Sequence, residues 1–139
     1  MNRQRLQAKL VQHEGLRLRV YQDTAGHPTI GVGRNLDVGI RESEAYVLLD
    51  NDIDSAVSGL RGVISNFDKL DDVRQEALIN MVFNEGLVKF TRSNPRMIAA
   101  IEAGDFPLAA KEILDGPWKD QVKGRAYEIA AAISKGDWE

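Results

Sequence analysis

Residues 13–34 read HEGLRLRVYQDTAGHPTIGVGR, and how this stretch divides decides the fold. Just upstream, Leu6, Leu10 and Val11 line one face of a helix over residues 3–13, and Gly15 is a residue without a Cβ that can end it. Leu16, Leu18 and Val20 then alternate with Arg17, Arg19 and Tyr21, which is strand period. Asp23 suits the opening of a turn and Gly26 its close. PTIGVGR returns as a second strand, with Pro28 at its start, where a missing N–H is tolerated. The stretch therefore predicts a helix end followed by a β-hairpin.

Beyond Leu36 the periodicity becomes helical. Tyr46, Leu49, Ile53, Ala56 and Leu60 predict one long amphipathic helix over residues 42–60. Val73, Ala77, Leu78, Ile79, Met81, Val82 and Phe83 predict a helix over 71–85 that is buried on nearly all sides and stopped by Gly86. Ser93, Asn94 and Pro95 open a helix carrying Met97, Ile98 and Ile101 as far as Gly104, and Asp105 caps the next, with Leu108, Ile113 and Leu114. DGPWKDQVKG reads as a loop before a last helix with Ile129, Ala130 and Ile133, stopped by Gly136. The expected fold is α+β in a single 139-residue domain. A small β-hairpin lobe (about 14–41) is followed by a long interlobe helix (about 42–60) and a larger all-helical lobe (about 61–139 plus the N-terminal helix).

Hydrophobic residues make up 43% and charged residues 28% of the chain, a balance that excludes disorder. There is no cysteine, which removes disulfide and thiolate chemistry and fits a reducing compartment. No stretch approaches the roughly 20 apolar residues of a membrane span, and MNRQRLQAKLVQHEG carries no apolar run of the Sec type. The net charge of −3 conceals an asymmetry, because residues 1–41 hold seven Lys/Arg against three acids. That end could attract an anionic polymer, but the acidic total argues against nucleic acid as a partner.

Several chemistries are excluded by position. DNDIDS (50–55) begins like a calcium loop, but its sixth position is Ser55 and its twelfth is Arg61. In GVGR the third glycine of a dinucleotide fingerprint would fall on Leu36. His13 and His27 are too few for a zinc site and read as surface or packing residues. With neither a Cys nucleophile nor a GxSxG elbow, acyl-enzyme chemistry has no support, and no metal or cofactor is implied.

What remains is Glu14, Asp23 and Thr29. By spacing alone they are unremarkable, since 21 of 139 residues are acidic. Their placement is more informative. Glu14 falls at the C-terminal end of a helix, where the dipole disfavours an ionised carboxyl, and partial burial against the hairpin would act the same way, as a general acid requires. Asp23 sits in a polar turn that keeps it ionised, and Thr29 across the turn could hold a water. Two carboxyls in contrasting environments are the pattern of a glycosidase. Gly31 and Gly33 would let a bulky ligand approach the strand. The same residues are also compatible with a surface acid, a turn former and an ordinary strand residue.

The stretch resembles the phage-type lysozymes, the endolysins of T-even phages. Their signature is Glu, eight residues, Asp, five residues, Thr and a Gly-x-Gly, matched here by EGLRLRVYQDTAGHPTIGVG. The resemblance continues through DSAVSGL (54–60), LINMVFNEG (78–86), FTRS (90–93), PWKDQ (117–121), GRA (124–126) and GDW (136–138). It implies a two-lobed lysozyme-like muramidase that cleaves the β-1,4 bond between N-acetylmuramic acid and N-acetylglucosamine, probing peptidoglycan glycan strands as its partner. Carried over by position, Glu14 is the acid, Asp23 the base or electrostatic partner, and Thr29 the water-positioning residue. Arg125 matches the arginine that pairs with the glutamate, and Asn80 matches a buried asparagine near it. Phe83, Asn84, Ser93, Arg34 and Asn35 are the substrate contacts. Inversion at the anomeric carbon, a monomer, and storage in the host cytoplasm until a holin opens the membrane are further family expectations. The segment Asn35–Ile40 is shorter than in many members, and Arg34 stands where a histidine is common. A glycan- or partner-binding module on the same fold is the competing reading.

Overall fold

The computed structural model describes residues 1–139, the side chain of Lys123 excepted. Contacts divide the chain into two compact units, Met1–Leu48 and Leu49–Glu139. The sequence reading groups the first helix with the helical lobe, whereas by contacts it falls with the hairpin.

The first unit opens with α1 (Arg3–Glu14), whose N-cap Asn2 accepts the Arg5 N–H. Gly15, at φ 79°, ends it and returns its N–H to the Val11 carbonyl at 2.8 Å. The sheet has order β1–β2–β3, with β1 Arg17–Gln22, β2 Pro28–Gly31 and β3 Arg34–Asn35, all antiparallel. The β1–β2 register shifts between Arg17 and Tyr21, and the Arg17 guanidinium stands 4.3 Å from the Tyr21 ring centroid. The single return strand expected over 28–34 is in fact two strands. Gly31 and Gly33 both take positive φ (69° and 65°), so GVG forms a tight turn that folds β3 back onto β2. A 3-10 turn (Leu36–Val38) follows, capped by the Asn35 side chain.

Helix α2 (Glu42–Val63) runs three residues past its expected end and carries the chain across the unit boundary. In the second unit it is followed by α3 (Asp72–Glu85), α4 (Leu87–Ser93), α5 (Pro95–Glu102), α6 (Phe106–Asp115) and α7 (Trp118–Lys135). The core lies here: Leu60, Ile64, Phe67, Leu78, Met81, Phe90, Ile101, Ile113, Trp118, Ile129 and Ile133 are essentially buried. Each large side chain of this kind contributes about 1.5–3 kcal/mol of hydrophobic stabilisation.

Three expectations are corrected in this unit. Helix α3 is buried on one face only, through Ala77, Leu78, Met81 and Val82, while Phe83 is 42% exposed. Helix α4 was not anticipated: Gly86, at φ 77°, ends α3 and lets the chain restart at once, anchored by buried Phe90. The expected loop at 115–124 is mostly helical. Helix α7 starts at Trp118, whose indole is buried and donates to Asn84 Oδ1 at 2.7 Å, and it is interrupted at Val122 (φ −135°). Asp71, Asp105 and Gly136 act as caps, as their chemistry dictates.

Candidate active site

Glu14 is the last residue of α1, and its side chain is exposed rather than tucked beneath the hairpin. With Gln7, Leu10 and Val11 of the same helix, and Val32 and Gly33 of the β2–β3 turn, it lines a cavity of about 440 Å³. Gly33 is required twice over. Its φ of 65° suits glycine, and a Cβ there would stand 3.1 Å from Glu14 Oε2 and 3.4 Å from Glu14 Cβ and Cδ. The bare backbone at Gly33 thus accommodates the Glu14 carboxylate itself. Gly31 has open space around it, so only its φ of 69° calls for glycine.

Asp23 opens the β1–β2 turn, its carbonyl accepting the Gly26 N–H at 3.0 Å. Its Oδ1 accepts the backbone N–H of His27 at 2.8 Å and of Ala25 at 2.9 Å, and its own N–H donates to the His27 carbonyl at 3.0 Å. The His27 N–H, foremost among these donors, holds the Asp23 carboxyl below the ordinary aspartate range, so this carboxylate is ionised at neutral pH. Thr29 is 3% exposed, and its hydroxyl donates to the His27 carbonyl at 2.9 Å. The hydroxyl proton is therefore committed within the turn, and only lone pairs remain to meet a water. Asn35 pairs with Thr29 across β2–β3 and accepts the Asp37 N–H at 2.9 Å.

Arg34 makes a two-pronged contact with Glu44, at 2.9 and 3.1 Å. Glu44 lies in the first turn of α2 and also takes the Arg41 N–H at 2.8 Å, half of a capping box. The Arg34 guanidinium, with that N–H, lowers the Glu44 carboxyl to about 2. Arg34 ties β3 to the start of α2.

In the second unit, Arg125 donates Nε to Asn80 Oδ1 at 2.7 Å and Nη2 to the Asn80 carbonyl at 3.0 Å. The two expected supporting residues therefore meet, although Asn80 is half-buried rather than buried. Together with Phe83, Leu49, Ile53, Glu76 and Ile79 they line a cavity of about 310 Å³. Asn84 is engaged by the Trp118 indole, and Ser93 lines a separate, polar cavity of about 380 Å³. The expected residues are thus divided. Glu14, Asp23, Thr29, Arg34 and Asn35 belong to the first unit, and Asn80, Phe83, Asn84, Ser93 and Arg125 to the second. His27 and Glu44 were not anticipated, because His27 acts on Asp23 and Thr29 through its backbone, and Glu44 is one of several acids at the start of α2. Among the described residues no three His, Cys, Asp or Glu side chains converge as a metal site, and no helix is long and apolar enough to cross a membrane.

The phage lysozyme family matches residues 11–131, a span that includes every residue placed above except Gln7 and Leu10. The chain belongs to the phage lysozyme family. It is accordingly a peptidoglycan hydrolase of α+β lysozyme-like fold. The chain is 31% identical to an endolysin of Acyrthosiphon pisum secondary endosymbiont phage 1, covering 88% of this chain and 84% of that one. It is 26% identical to the probable T4-type lysozyme 1 of Dictyostelium discoideum, covering 88% and 89%. It is also 32% identical to the pre-baseplate central spike protein Gp5 of Enterobacteria phage T4, over 91% of this chain but only 27% of that longer protein.

Proposed function

We propose that this lysozyme is an endo-N-acetylmuramidase that hydrolyses the β-1,4 bond between N-acetylmuramic acid and N-acetylglucosamine. Glu14 gives its proton to the leaving glycosidic oxygen while Asp23 draws a proton from the attacking water. Thr29, its own proton committed to the His27 carbonyl, accepts the second hydrogen of that water and so turns a lone pair toward the anomeric carbon. Attack from the face opposite the leaving group inverts the centre and needs carboxyls roughly 6.5–9.5 Å apart. In this reading Asn80 holds the Arg125 guanidinium, and Phe83 offers a ring face to a sugar. No cofactor takes part.

The observation that carries the proposal is the contrast between the two carboxyls of the first unit. Asp23 is held ionised by two backbone N–H donors, whereas Glu14 rests against the bare backbone of Gly33. The first unit thus supplies an ionised carboxylate for the base and, lining the cavity beside the β2–β3 turn, a second carboxyl for the acid. The decisive experiment measures new reducing ends from purified peptidoglycan for wild type and Glu14→Gln. A loss of about 10²–10⁴-fold in the variant is expected. Equal rates would refute the assignment, and sedimentation with peptidoglycan without new reducing ends in wild type would favour a binding module. The proposal includes action as a monomer on the periplasmic wall after a holin opens the membrane. Gel filtration, and lysis of cells with and without a membrane permeabiliser, test these two points.

A further inference from the structure

His27 stands at the centre of the first unit's polar network. Its N–H and carbonyl make three hydrogen bonds to Asp23 and Thr29: Asp23 Oδ1 at 2.8 Å, Asp23 N at 3.0 Å and Thr29 Oγ1 at 2.9 Å. The orientation of one peptide unit pair thus sets both groups that flank the attacking water. Pro28 follows, which bars His27 from the helical region and narrows the freedom of that backbone. The His27 side chain reaches out of the hairpin: Nδ1 lies 3.1 Å from Asp37 Oδ2 in the 3-10 turn after β3. Asp37 is itself tethered, its N–H on Asn35 Oδ1, and Asn35 pairs with Thr29 across β2–β3. The contacts close a ring: Thr29 hydroxyl to His27 carbonyl, His27 imidazole to Asp37, Asp37 N–H to Asn35, and Asn35 back to Thr29.

We propose that the His27 imidazole and the Asp37 carboxylate form a brace that positions Asp23 and Thr29 for the hydrolytic step, an inference that rests on the function proposed above. His27 and Asp37 are positioning residues; neither touches the reacting atoms. Their side chains are 49% and 55% exposed, so the pair adds little to folding stability. Its effect falls on geometry. Without it the His27 peptide is held from the hairpin side alone, and small displacements of the water-activating groups lower the rate of the chemical step. The imidazole donates from Nδ1, and an asparagine amide nitrogen occupies nearly the same position, whereas a glutamine amide reaches where Nε2 lies.

The test measures kcat, KM and Tm on solubilised peptidoglycan fragments for His27→Ala, Asp37→Ala, the double variant, His27→Asn and His27→Gln, with Glu14→Gln in parallel. Each alanine variant loses roughly 3–10-fold in kcat, with KM and Tm nearly unchanged. The double variant loses no more than either single one, His27→Asn recovers most of the rate and His27→Gln does not. Wild-type kcat in the alanine variants, losses that multiply in the double variant, a loss residing in KM, a fall in Tm that tracks the fall in rate, or an asparagine no better than alanine each overturns the brace. If Glu14→Gln is inactive while His27→Ala is fully active, the brace alone fails. If Glu14→Gln keeps wild-type kcat, the acid assignment fails instead.

Discussion

Replacing Gly33 by alanine, with Gly31→Ala as its partner, separates backbone strain from displacement of the proposed acid. The two glycines have nearly the same conformation, φ 65° and 69°. An alanine in this region costs about 1–2 kcal/mol, offset by about 0.4–1 kcal/mol from the reduced freedom of the unfolded chain. Both variants are therefore expected to lose about 1 kcal/mol of stability. They differ in what the new methyl meets. At Gly31 nothing lies within 4 Å, whereas at Gly33 the methyl stands 3.1 Å from Glu14 Oε2 and 3.4 Å from Glu14 Cβ and Cδ. The Glu14 side chain must give way by a few tenths of an ångström, and a misplacement of about 1 Å can cost about 10²-fold in rate. Gly33→Ala should therefore lose roughly tenfold in kcat, while Gly31→Ala keeps wild-type kcat once corrected for the folded fraction. Denaturant unfolding gives the stability pair, and release of reducing ends gives the rate pair. Equal kcat in the two variants refutes the reasoning, because strain is shared and only the contact with Glu14 is not.

The remaining predictions concern charge and anchoring. The Glu44 carboxyl titrates near 2 rather than at its ordinary 4.5, first through the Arg34 guanidinium and then through the Arg41 N–H. Because its folded value is depressed, its contribution to stability is full above about 4.5 and is lost as pH falls toward 2. Carboxyl-carbon NMR should show this low midpoint, with Arg34→Gln moving it back up; a wild-type midpoint near 4.5 counts against the ion pair. In the same titration Asp23 should ionise below 3.8, held there by the His27 N–H, and a higher midpoint would remove the basis for a permanently charged base. Arg74 donates to the Ile133 and Ser134 carbonyls at 2.7 and 3.0 Å, pairs with Asp71 and stacks 3.7 Å over Phe106. Arg74→Met should cost about 2–4 kcal/mol in denaturant unfolding, since charged hydrogen bonds to a helix end and a cation–π contact are lost together. A loss under 1 kcal/mol would mean the clamp on α7 is not engaged.

The sequence by itself determined what acts within a few residues. Gly15, Gly86 and Gly136 stop helices because the sign of φ is a property of one residue, and Asp71 and Asp105 cap because a short side chain reaches a backbone N–H three positions on. The long periodic run of α2 was legible for the same reason, since its pattern repeats over several turns. The positions of Glu14, Asp23 and Thr29 were read from spacing and resemblance together. Tertiary structure decided the rest. Seven residues of α4 are too few to carry a period, and they are helical because Phe90 is buried. The segment after Gly116 looks like a loop by composition and is helical because the Trp118 indole finds Asn84, 34 residues away. Arg34 reads as a free cation until Glu44 takes it, and Gly33 reads as room for a ligand until the end of α1 supplies a carboxylate. Chain chemistry fixes local torsions, whereas the partner of a long side chain is chosen by whatever distant segment the fold brings within hydrogen-bond reach.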